Sequence, residues 1–238
     1  MSEIRTYATA ETVADAAAEN AVEILRLAIE LRDGATWVLA GGTSPLLAYK
    51  KIAADYADAC DWSKVTAIIG DERMVPFDHK DSNWGTIIEI FEKNELLTQV
   101  KRIVPTIHQT VEATAAAYDE AIRQSGIDRF DLVWIGVGED GHTLSLFPGN
   151  PGFIEPTEQW VIPVKDSPKP PAERFSFSLK ALEHVHELVI FAVGTSKRDI
   201  LRQARLKGKL PVAVAAETVE GSGGEVRWLY DDAAWGEV

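Results

Sequence analysis

Apolar runs that alternate with helical segments constrain the fold of this chain more than any other feature. Residues 36–40, 65–70, 131–138 and 187–194 form mostly apolar runs with the length of buried strands. Segments with helical patterns lie between them. Continuous apolar strands separated by helices are typical of a parallel sheet that is covered on both faces. The sequence therefore predicts a Rossmann-like α/β fold, with a mainly parallel twisted sheet and helices on both faces, in a single domain over residues 1–238.

The other predicted elements complete this alternation. Helices are expected at Ala10–Leu31, Pro45–Tyr56, from a cap at Ser82 and Asn83 through Asn94, at Glu112–Gln124 and at Ser196–Lys207. Further strands are expected at Phe175–Leu179 and Glu225–Asp231. The Pro-rich stretch 167–175 predicts neither a helix nor a central strand, because proline has no N–H and a fixed φ.

Charge and composition exclude several classes of function. The formal net charge is −13, and Lys and Arg form no block, so we expect neither nucleic acid nor a membrane as a partner. The single cysteine, Cys60, allows no intrachain disulfide, and the N-terminus lacks the pattern of a signal peptide. We expect a cytoplasmic protein that is a monomer or a weak homodimer. An anionic substrate would need a locally basic pocket.

The loops that follow the strands carry the unusual chemistry. Ligands of open α/β sheets bind outside the carboxyl ends of the strands. In the first loop, Gly41 and Gly42 leave a strand, and Thr43 and Ser44 precede Pro45, which begins a predicted helix. N–H groups at a helix N-terminus favour a phosphate. The alternative is a tight turn in which Thr43 or Ser44 caps the helix.

The second loop begins with three charged residues. Asp71, Glu72 and Arg73 directly follow the apolar run 65–70. Arg73 presents the planar fork of donors that suits a phosphate. The alternative is a solvated turn in which Arg73 pairs with Asp71 or Glu72.

The third loop reads GVGEDGH from Gly136 and fits the G-x-G-x-x-G pattern of dinucleotide-binding folds. Pro148 and the residues around it leave little room for the helix that such a loop must enter, which disfavours a dinucleotide site. His142 is instead a candidate general base at a strand end, with Asp140 close enough to orient its ring. The alternative for His142 is a structural role.

Two further basic residues are candidates for contact with an anion. Lys197 follows Gly194 at the predicted start of a helix, where a cation is unfavourable unless an anion binds nearby. The alternative is a Lys197 side chain that extends into solvent. Arg174 follows the Pro-rich stretch. His184 and His186 have no third ligand at a matching position, so the sequence predicts no zinc site.

Together these segments resemble the 6-phosphogluconolactonase family. The similarity rests on LAGGTSP from Leu39, GDERMVPFDHKDSN from Gly70 and GVGEDGHTLSLFPG from Gly136, and it extends to Lys197. The third segment is the most specific of these motifs. Leu144 stands where the family more often has a small residue, and we do not expect this difference to alter the chemistry.

The resemblance implies hydrolysis of 6-phospho-D-glucono-1,5-lactone to 6-phospho-D-gluconate, the second step of the oxidative pentose phosphate pathway. It implies no metal and no other cofactor. His142 would take a proton from the attacking water and return it to the departing ring oxygen, and Asp140 would orient and support His142.

The resemblance also implies how the substrate is held. A basic pocket would fix the 6-phosphate and so place the lactone carbonyl near the base. The implied phosphate-binding residues are Gly41, Gly42, Thr43, Ser44, Arg73 and Lys197. Asp71 and Arg174 are possible further substrate contacts.

Two alternatives remain for the function. Glucosamine-6-phosphate deaminases are related in fold and also carry an Asp-Gly-His loop, but Arg73 and the run Ser145–Gly149 favour the lactonase. A non-catalytic sensor of sugar phosphates would need the phosphate loops but not His142, and the sequence shows no output module. Turnover that depends on His142 would distinguish an enzyme from a sensor.

Overall fold

The computed structural model describes residues 2–94, 97–205 and 209–236. Its strands are β1 (Glu3–Tyr7), β2 (Ala35–Leu39), β3 (Val65–Ile69), β4 (Asp71–Arg73), β5 (Lys101–Arg102), β6 (Phe130–Gly136), β7 (Val161–Val164), β8 (Arg174–Phe177), β9 (Val185–Ala192) and β10 (Glu225–Asp231). Its α-helices are α1 (Ala10–Arg32), α2 (Thr43–Asp55), α3 (Asn83–Glu92), α4 (Val111–Gln124), α5 (Pro151–Ile154), α6 (Leu179–Leu182), α7 (Arg198–Arg205), α8 (Pro211–Gly221) and α9 (Asp232–Trp235). Short 3-10 helices lie at Trp62–Lys64, Leu97–Gln99 and Thr195–Lys197. Within the described ranges, no helix has both the length and the apolarity to cross a membrane.

The central sheet has seven strands in the order β1-β10-β9-β6-β2-β3-β5, and all of its pairings are parallel. From β2 the chain moves outward through β3 to β5, and then returns to place β6 on the other side of β2. The strand order therefore reverses between β2 and β6. The loops at such a switch point diverge and leave a crevice at the carboxyl ends of the strands, where a ligand can bind.

Burial explains why the central strands are continuously apolar. Every residue of β2 is buried, as are the first six residues of β6, which requires cover on both faces of the sheet. Trp37 of β2 packs against Trp134 of β6 and Tyr49 of α2, with ring centroids 4.9 and 5.4 Å apart. Helices α1 and α2 pack together, and α8 packs on β9 and β10. The predicted α/β class with a mainly parallel sheet is confirmed.

Local sequence signals determine where the longest helix, α1, begins and ends. The Thr9 hydroxyl accepts a hydrogen bond from the Thr12 N–H, and the Thr12 hydroxyl accepts one from the Thr9 N–H. This reciprocal capping satisfies donors that the first turn leaves unpaired. At the other end, Asp33 adopts a left-handed conformation with φ 61° and donates its N–H to the Ile29 carbonyl. The predicted helix Ala10–Leu31 thus differs from the observed one by a single residue.

A second sheet has three antiparallel strands in the order β4-β8-β7, and the sequence did not predict it. Strand β4 begins directly after Gly70 and pairs with β8, so that Arg73 lies opposite Arg174 and Asp71 opposite Ser176. The prediction treated residues 71–73 as a loop, because a strand of three residues is too short to show a period. This pairing brings two distant segments together beside the end of β3.

Most of the other differences concern short or polar elements. Helix α2 begins at Thr43, two residues before Pro45. The predicted helix Ser196–Lys207 is divided between a 3-10 helix and α7, and its predicted end lies outside the described residues. The prediction missed β1, because this edge strand is mostly exposed and carries no apolar run. It also missed α8, whose first turns contain only Pro, Val and Ala and so show no helical period.

Candidate active site

The crevice at the switch point forms a cavity of about 340 Å³. A cavity of this size suits a small ligand. Its walls come from the loops after β2, β6 and β9, from β4 and the start of α3, and from the Pro-rich segment that leads into β8. The lining includes Gly41, Gly42, Asp71, Arg73, Asn83, Gly138, His142, Leu144, Lys169, Arg174 and Lys197.

A tight turn after β6 holds His142 at the cavity wall. The Gly138 N–H donates to the His142 carbonyl at 2.7 Å, and the Gly141 N–H donates to the Gly138 carbonyl at 3.0 Å. A Cβ atom at Gly138 would lie 1.9 Å from His142 Nδ1, so only glycine leaves room for the imidazole ring. Gly141 has φ 82°, a left-handed conformation that favours glycine. No helix follows this turn before Pro151, so the loop lacks the helix N-terminus that binds a dinucleotide.

His142 and Asp140 form a hydrogen-bonded pair. His142 Nδ1 bonds Asp140 Oδ1, and the His142 backbone N–H donates to the same oxygen at 3.3 Å. This bond favours the tautomer with the proton on Nδ1, which leaves a lone pair on Nε2. The imidazole ring packs over Phe147, with 4.5 Å between the ring centroids. His142 lines the cavity, whereas Asp140 supports it from outside the lining.

The surroundings of His142 favour its neutral form. Burial lowers the pKa of His142 below the ordinary value of 6.5, because the charged ring loses hydration. Asp140 opposes this shift, and the positive charge of Lys169 adds to it. For Asp140, burial acts to raise the pKa, but the hydrogen bond and the charge of His142 lower it overall. His142 is therefore neutral at pH 7 and able to accept a proton.

Arg73 reaches the cavity from β4. Its Nη1 donates to the Asp81 carbonyl at 2.6 Å, and its buried Nε atom has no hydrogen-bond partner. Among the described residues, no carboxylate lies within 4.0 Å of the Arg73 guanidinium nitrogens. The alternative in which Arg73 pairs with Asp71 or Glu72 is therefore wrong, and its charge is available to a ligand.

Arg174 lies opposite Arg73 and is only 4% exposed. Its Nε donates to the Pro171 carbonyl at 3.1 Å, and its Nη2 donates to the Lys169 carbonyl at 3.0 Å. These bonds hold the Pro-rich segment against the site and carry the Lys169 side chain to the cavity wall. The Lys169 Nζ atom lies 3.9 Å from Asp140 Oδ1.

Lys197 enters the cavity from the loop after β9. Its backbone N–H donates to the Gly194 carbonyl at 3.1 Å, and the Gly194 N–H donates to Asp231 Oδ1 at 2.9 Å. Burial lowers the pKa of Lys197, although the charge of Glu139 opposes the shift. The predicted position of Lys197 in the first turn of an α-helix is corrected, because it ends a 3-10 helix and α7 begins one residue later.

The loop after β2 brings backbone rather than side chains to the cavity. Gly41 and Gly42 line it, whereas Thr43 and Ser44 form the first residues of α2 outside the lining. Gly42 is the N-cap, with φ 96° and no side-chain cap. The alternative in which Thr43 or Ser44 caps the helix is therefore wrong. The Tyr49 hydroxyl bonds both the N–H and the carbonyl of Ala40, at 2.9 and 3.1 Å, and so fixes the start of this loop.

Asp71 and Asn83 complete the wall beside this loop. Asp71 Oδ2 accepts a hydrogen bond from the Ser145 hydroxyl at 2.7 Å. Asn83 Nδ2 donates to the Asp71 carbonyl at 2.9 Å. A Cβ atom at Gly41 would lie 1.9 Å from Asn83 Oδ1. Glycine at position 41 therefore allows the Asn83 amide to pack directly against the loop.

Seven of the ten predicted site residues line the cavity, and Asp140, Thr43 and Ser44 do not. Three other lining residues were not predicted as part of the site. Lys169 was missed because the Pro-rich stretch has no periodicity that shows which side chains point inward. Asn83 was expected only as part of a helix cap, but Ser82 is the N-cap and Asn83 faces the cavity. Leu144 also lines the cavity and has φ 53°, an uncommon conformation for a residue other than glycine.

The family model of glucosamine-6-phosphate isomerases/6-phosphogluconolactonase matches residues 8–228. The chain belongs to this family. The resemblance that the sequence motifs indicated is thereby confirmed. Among the described residues, no group of three or more His, Cys, Asp or Glu side chains is arranged to hold a metal ion.

Individual members of this family are similar along most of their length. The chain is 33% identical over 252 residues to a probable 6-phosphogluconolactonase 1 of Arabidopsis thaliana, with 98% of this chain and 92% of the relative covered. It is 35% identical over 204 residues to the 6-phosphogluconolactonase of Bos taurus, with 82% and 78% covered. A crystal structure of a 6-phosphogluconolactonase from Shewanella baltica OS155 has a TM-score of 0.83 at 23% identity, covering 97% of this chain and 98% of that one. The last comparison shows the shared fold.

Proposed function

We propose that this protein hydrolyses 6-phospho-D-glucono-1,5-lactone to 6-phospho-D-gluconate, the second step of the oxidative pentose phosphate pathway. One observation carries the proposal. A neutral, Asp140-oriented His142 faces the same cavity as four basic side chains, although the chain as a whole is strongly acidic. The four are Arg73, Lys169, Arg174 and Lys197. The names of the relatives from Arabidopsis thaliana and Bos taurus support the same reaction.

His142 supplies the acid–base chemistry. As a water oxygen attacks the lactone carbonyl, the Nε2 atom of His142 takes a proton from that water. The tetrahedral intermediate then collapses, the bond between the carbonyl carbon and the ring oxygen breaks, and His142 returns the proton to that oxygen. Asp140 holds the ring in the required tautomer and stabilises the imidazolium. Backbone N–H groups of the glycine loops are the donors that the developing oxyanion requires.

The basic side chains position the substrate. Arg73, Lys197 and the N–H groups of residues 41–44 hold the 6-phosphate, because charged donors and a helix N-terminus both favour an anion. Arg174 adds positive charge beside Arg73. Asp71, which lines the cavity, accepts a hydrogen bond from a sugar hydroxyl. Binding the phosphate fixes the carbonyl near His142, and such positioning accounts for much of the catalysis.

The test is release of acid from freshly prepared 6-phosphogluconolactone, corrected for spontaneous hydrolysis, with wild-type protein and with His142→Ala. A chelator is present throughout. We expect fast wild-type turnover and a loss of about 10²–10⁴-fold in the variant, the usual contribution of a general base. Wild-type protein that only matches the spontaneous rate would contradict the proposal. Release of ammonia from glucosamine 6-phosphate would then be tested.

A single-domain organisation over residues 1–238, a cytoplasmic location and a monomeric or weakly dimeric state stay predictions from the sequence. Size-exclusion chromatography with light scattering checks the last of these.

A further inference from the structure

Glu72 lies behind the cavity, and the proposed mechanism makes no use of it. The residue is 0% exposed. A buried carboxylate is costly unless it is well paired. The burial of Glu72 therefore calls for an explanation beyond the solvated turn that the sequence left as an alternative.

Four hydrogen bonds converge on the Glu72 carboxylate, and the carboxylate is the acceptor in each of them. The N–H groups of Arg73 and Asn83 donate to Oε1, at 2.7 and 2.9 Å. The N–H of Trp84 and the hydroxyl of Ser82 donate to Oε2, at 2.6 and 2.9 Å. Ser82 Oγ in turn accepts from the N–H of Gly85, also at 2.9 Å.

The four donors favour an anionic acceptor at position 72. Burial raises the pKa of the Glu72 carboxyl, and the hydrogen bonds from Trp84, Arg73, Asn83 and Ser82 oppose that rise. The three backbone groups that bond the carboxylate are all N–H donors. The NH₂ group of a glutamine at this position would point at one or two of them and could not accept their hydrogen bonds. An isosteric glutamine therefore changes the hydrogen bonding without creating a cavity.

The four bonds attach two cavity elements to one point. Asn83 and Trp84 are the first residues of α3, and their N–H groups are among those that a helix leaves unpaired. Arg73 is the last residue of β4. The side chains of Arg73 and Asn83 both line the cavity. Glu72 therefore determines where the strand that carries Arg73 meets the helix that carries Asn83.

We propose that Glu72 is a positioning residue for substrate binding: its carboxylate holds Arg73 and Asn83 at the cavity through the N–H groups of β4 and α3. The inference rests on the proposed function, because it assigns the binding of the phosphosugar lactone to the wall that Glu72 supports. Glu72 itself touches no substrate.

The test compares Glu72→Gln with Asp131→Asn. Asp131 is also a buried carboxylate, 3% exposed, but it lies near the start of β6 at the opposite end of the sheet. It accepts a hydrogen bond from the Thr36 N–H at 2.9 Å. Asp131 also pairs with Arg32, whereas Glu72 bonds only N–H groups and a hydroxyl. Both variants remove the charge of a buried carboxylate, so loss of stability alone would affect both.

We expect Glu72→Gln to raise KM for the lactone about tenfold, the effect of one misplaced charged contact, with a smaller change in kcat. Asp131→Asn should leave KM unchanged. Urea unfolding of both variants gives the stability against which KM is compared. An unchanged KM in Glu72→Gln, or an equal rise in Asp131→Asn, would overturn the proposal.

A second variant covers the case in which Glu72→Gln does not fold. Glu72→Asp keeps an anionic acceptor, and we expect it to raise KM by less than Glu72→Gln does. If only Glu72→Asp folds, a raised KM supports the proposal and a KM equal to that of the wild type overturns it. If wild-type protein does not hydrolyse the lactone, the proposed function fails, and calorimetric binding of 6-phosphogluconate replaces KM as the measure for the same variants.

Discussion

The two ends of the central sheet both contain buried carboxylates, but the partners of these carboxylates differ. At the amino end, Asp131 of β6 pairs with Arg32 and also accepts hydrogen bonds from Thr36. Glu187 of β9 bonds Asn20 at 2.9 Å and lies 3.4 Å from Arg227 Nε. The cations at this end are therefore engaged by carboxylates of the protein.

At the carboxyl end, carboxylates engage the cavity cations less: of Arg73, Lys169, Arg174 and Lys197, Lys169 alone lies within 4.0 Å of a carboxylate among the described residues, 3.9 Å from Asp140 Oδ1. Asp71 bonds the hydroxyl of Ser145, and Glu72 bonds backbone N–H groups and the hydroxyl of Ser82. Arg73 and Lys197 make no ion pair within the part of the chain that the structure describes. Both residues line the cavity without a carboxylate partner.

The difference separates an end whose charges are compensated within the protein from an end that is suited to binding an anion. A buried charge that a protein partner neutralises contributes to the folded structure. A group of cations left without carboxylate partners is unfavourable until an anion binds. In a chain with a net charge of −13, this local excess of positive charge is a specific feature of the carboxyl end.

The largest effect should come from Gly138→Ala. The new Cβ atom would overlap the His142 ring, so the ring must move away from its position beside Asp140. A displacement of about 1 Å costs roughly 10²-fold in rate, and we expect a loss of kcat on that scale. Gly221→Ala is the control, because its Cβ atom would meet nothing within 4 Å. Full activity of Gly138→Ala would show that the position of His142 is not critical.

At the carboxyl end of the sheet, the change to test is Lys197→Met. It should reduce kcat/KM by about 10–100-fold, since a hydrogen bond to a charged group contributes about 1.5–3 kcal/mol. Arg32→Met at the amino end is the matched control. It removes a half-exposed cation whose partner Asp131 is buried, so we expect a loss of stability in urea unfolding and no change in kcat/KM. Similar kinetics for the two variants would remove the distinction between the ends.

Substitutions of Lys169 and Asp140 should have a smaller effect, which is a shift in the pH dependence of kcat/KM. Protonation inactivates the base, so activity falls as pH drops through the pKa of His142, which lies below 6.5. Because Lys169 lowers this pKa, Lys169→Met should move the acidic limb to higher pH. Asp140 raises the pKa, so Asp140→Asn should move the limb to lower pH while also reducing kcat. Limbs that do not move, or that move in the same direction, would contradict the assignment of His142 as the base.

The sequence predicted those features of the site that depend on local patterns. Short stretches of sequence are enough to recognise the glycines at strand ends, the histidine that ends the stretch GVGEDGH and the basic residues near two loops. His142, Arg73 and Lys197 were found in this way, and each lines the cavity.

Other features depend on pairings between distant segments. The position of Arg174 opposite Arg73 follows from the register of β4 and β8, and β4 is too short to show a pattern. The role of Glu72 follows from the approach of α3 to β4, which brings the N–H of Asn83 to a carboxylate 11 positions earlier in the chain. Lys169 is brought to the site by the Arg174 hydrogen bonds to main-chain carbonyls, which no side-chain pattern encodes.

The most direct test of the account is the preference for a phosphorylated substrate. We would measure kcat/KM of the wild-type protein for 6-phosphogluconolactone and for glucono-1,5-lactone, which lacks the phosphate, and repeat both with Lys197→Met. If the unpaired cations bind the phosphate, the wild type prefers the phosphorylated lactone by about 10²-fold or more, and Lys197→Met loses much of that preference. Equal kcat/KM for the two lactones, or a preference that Lys197→Met leaves intact, would contradict the account.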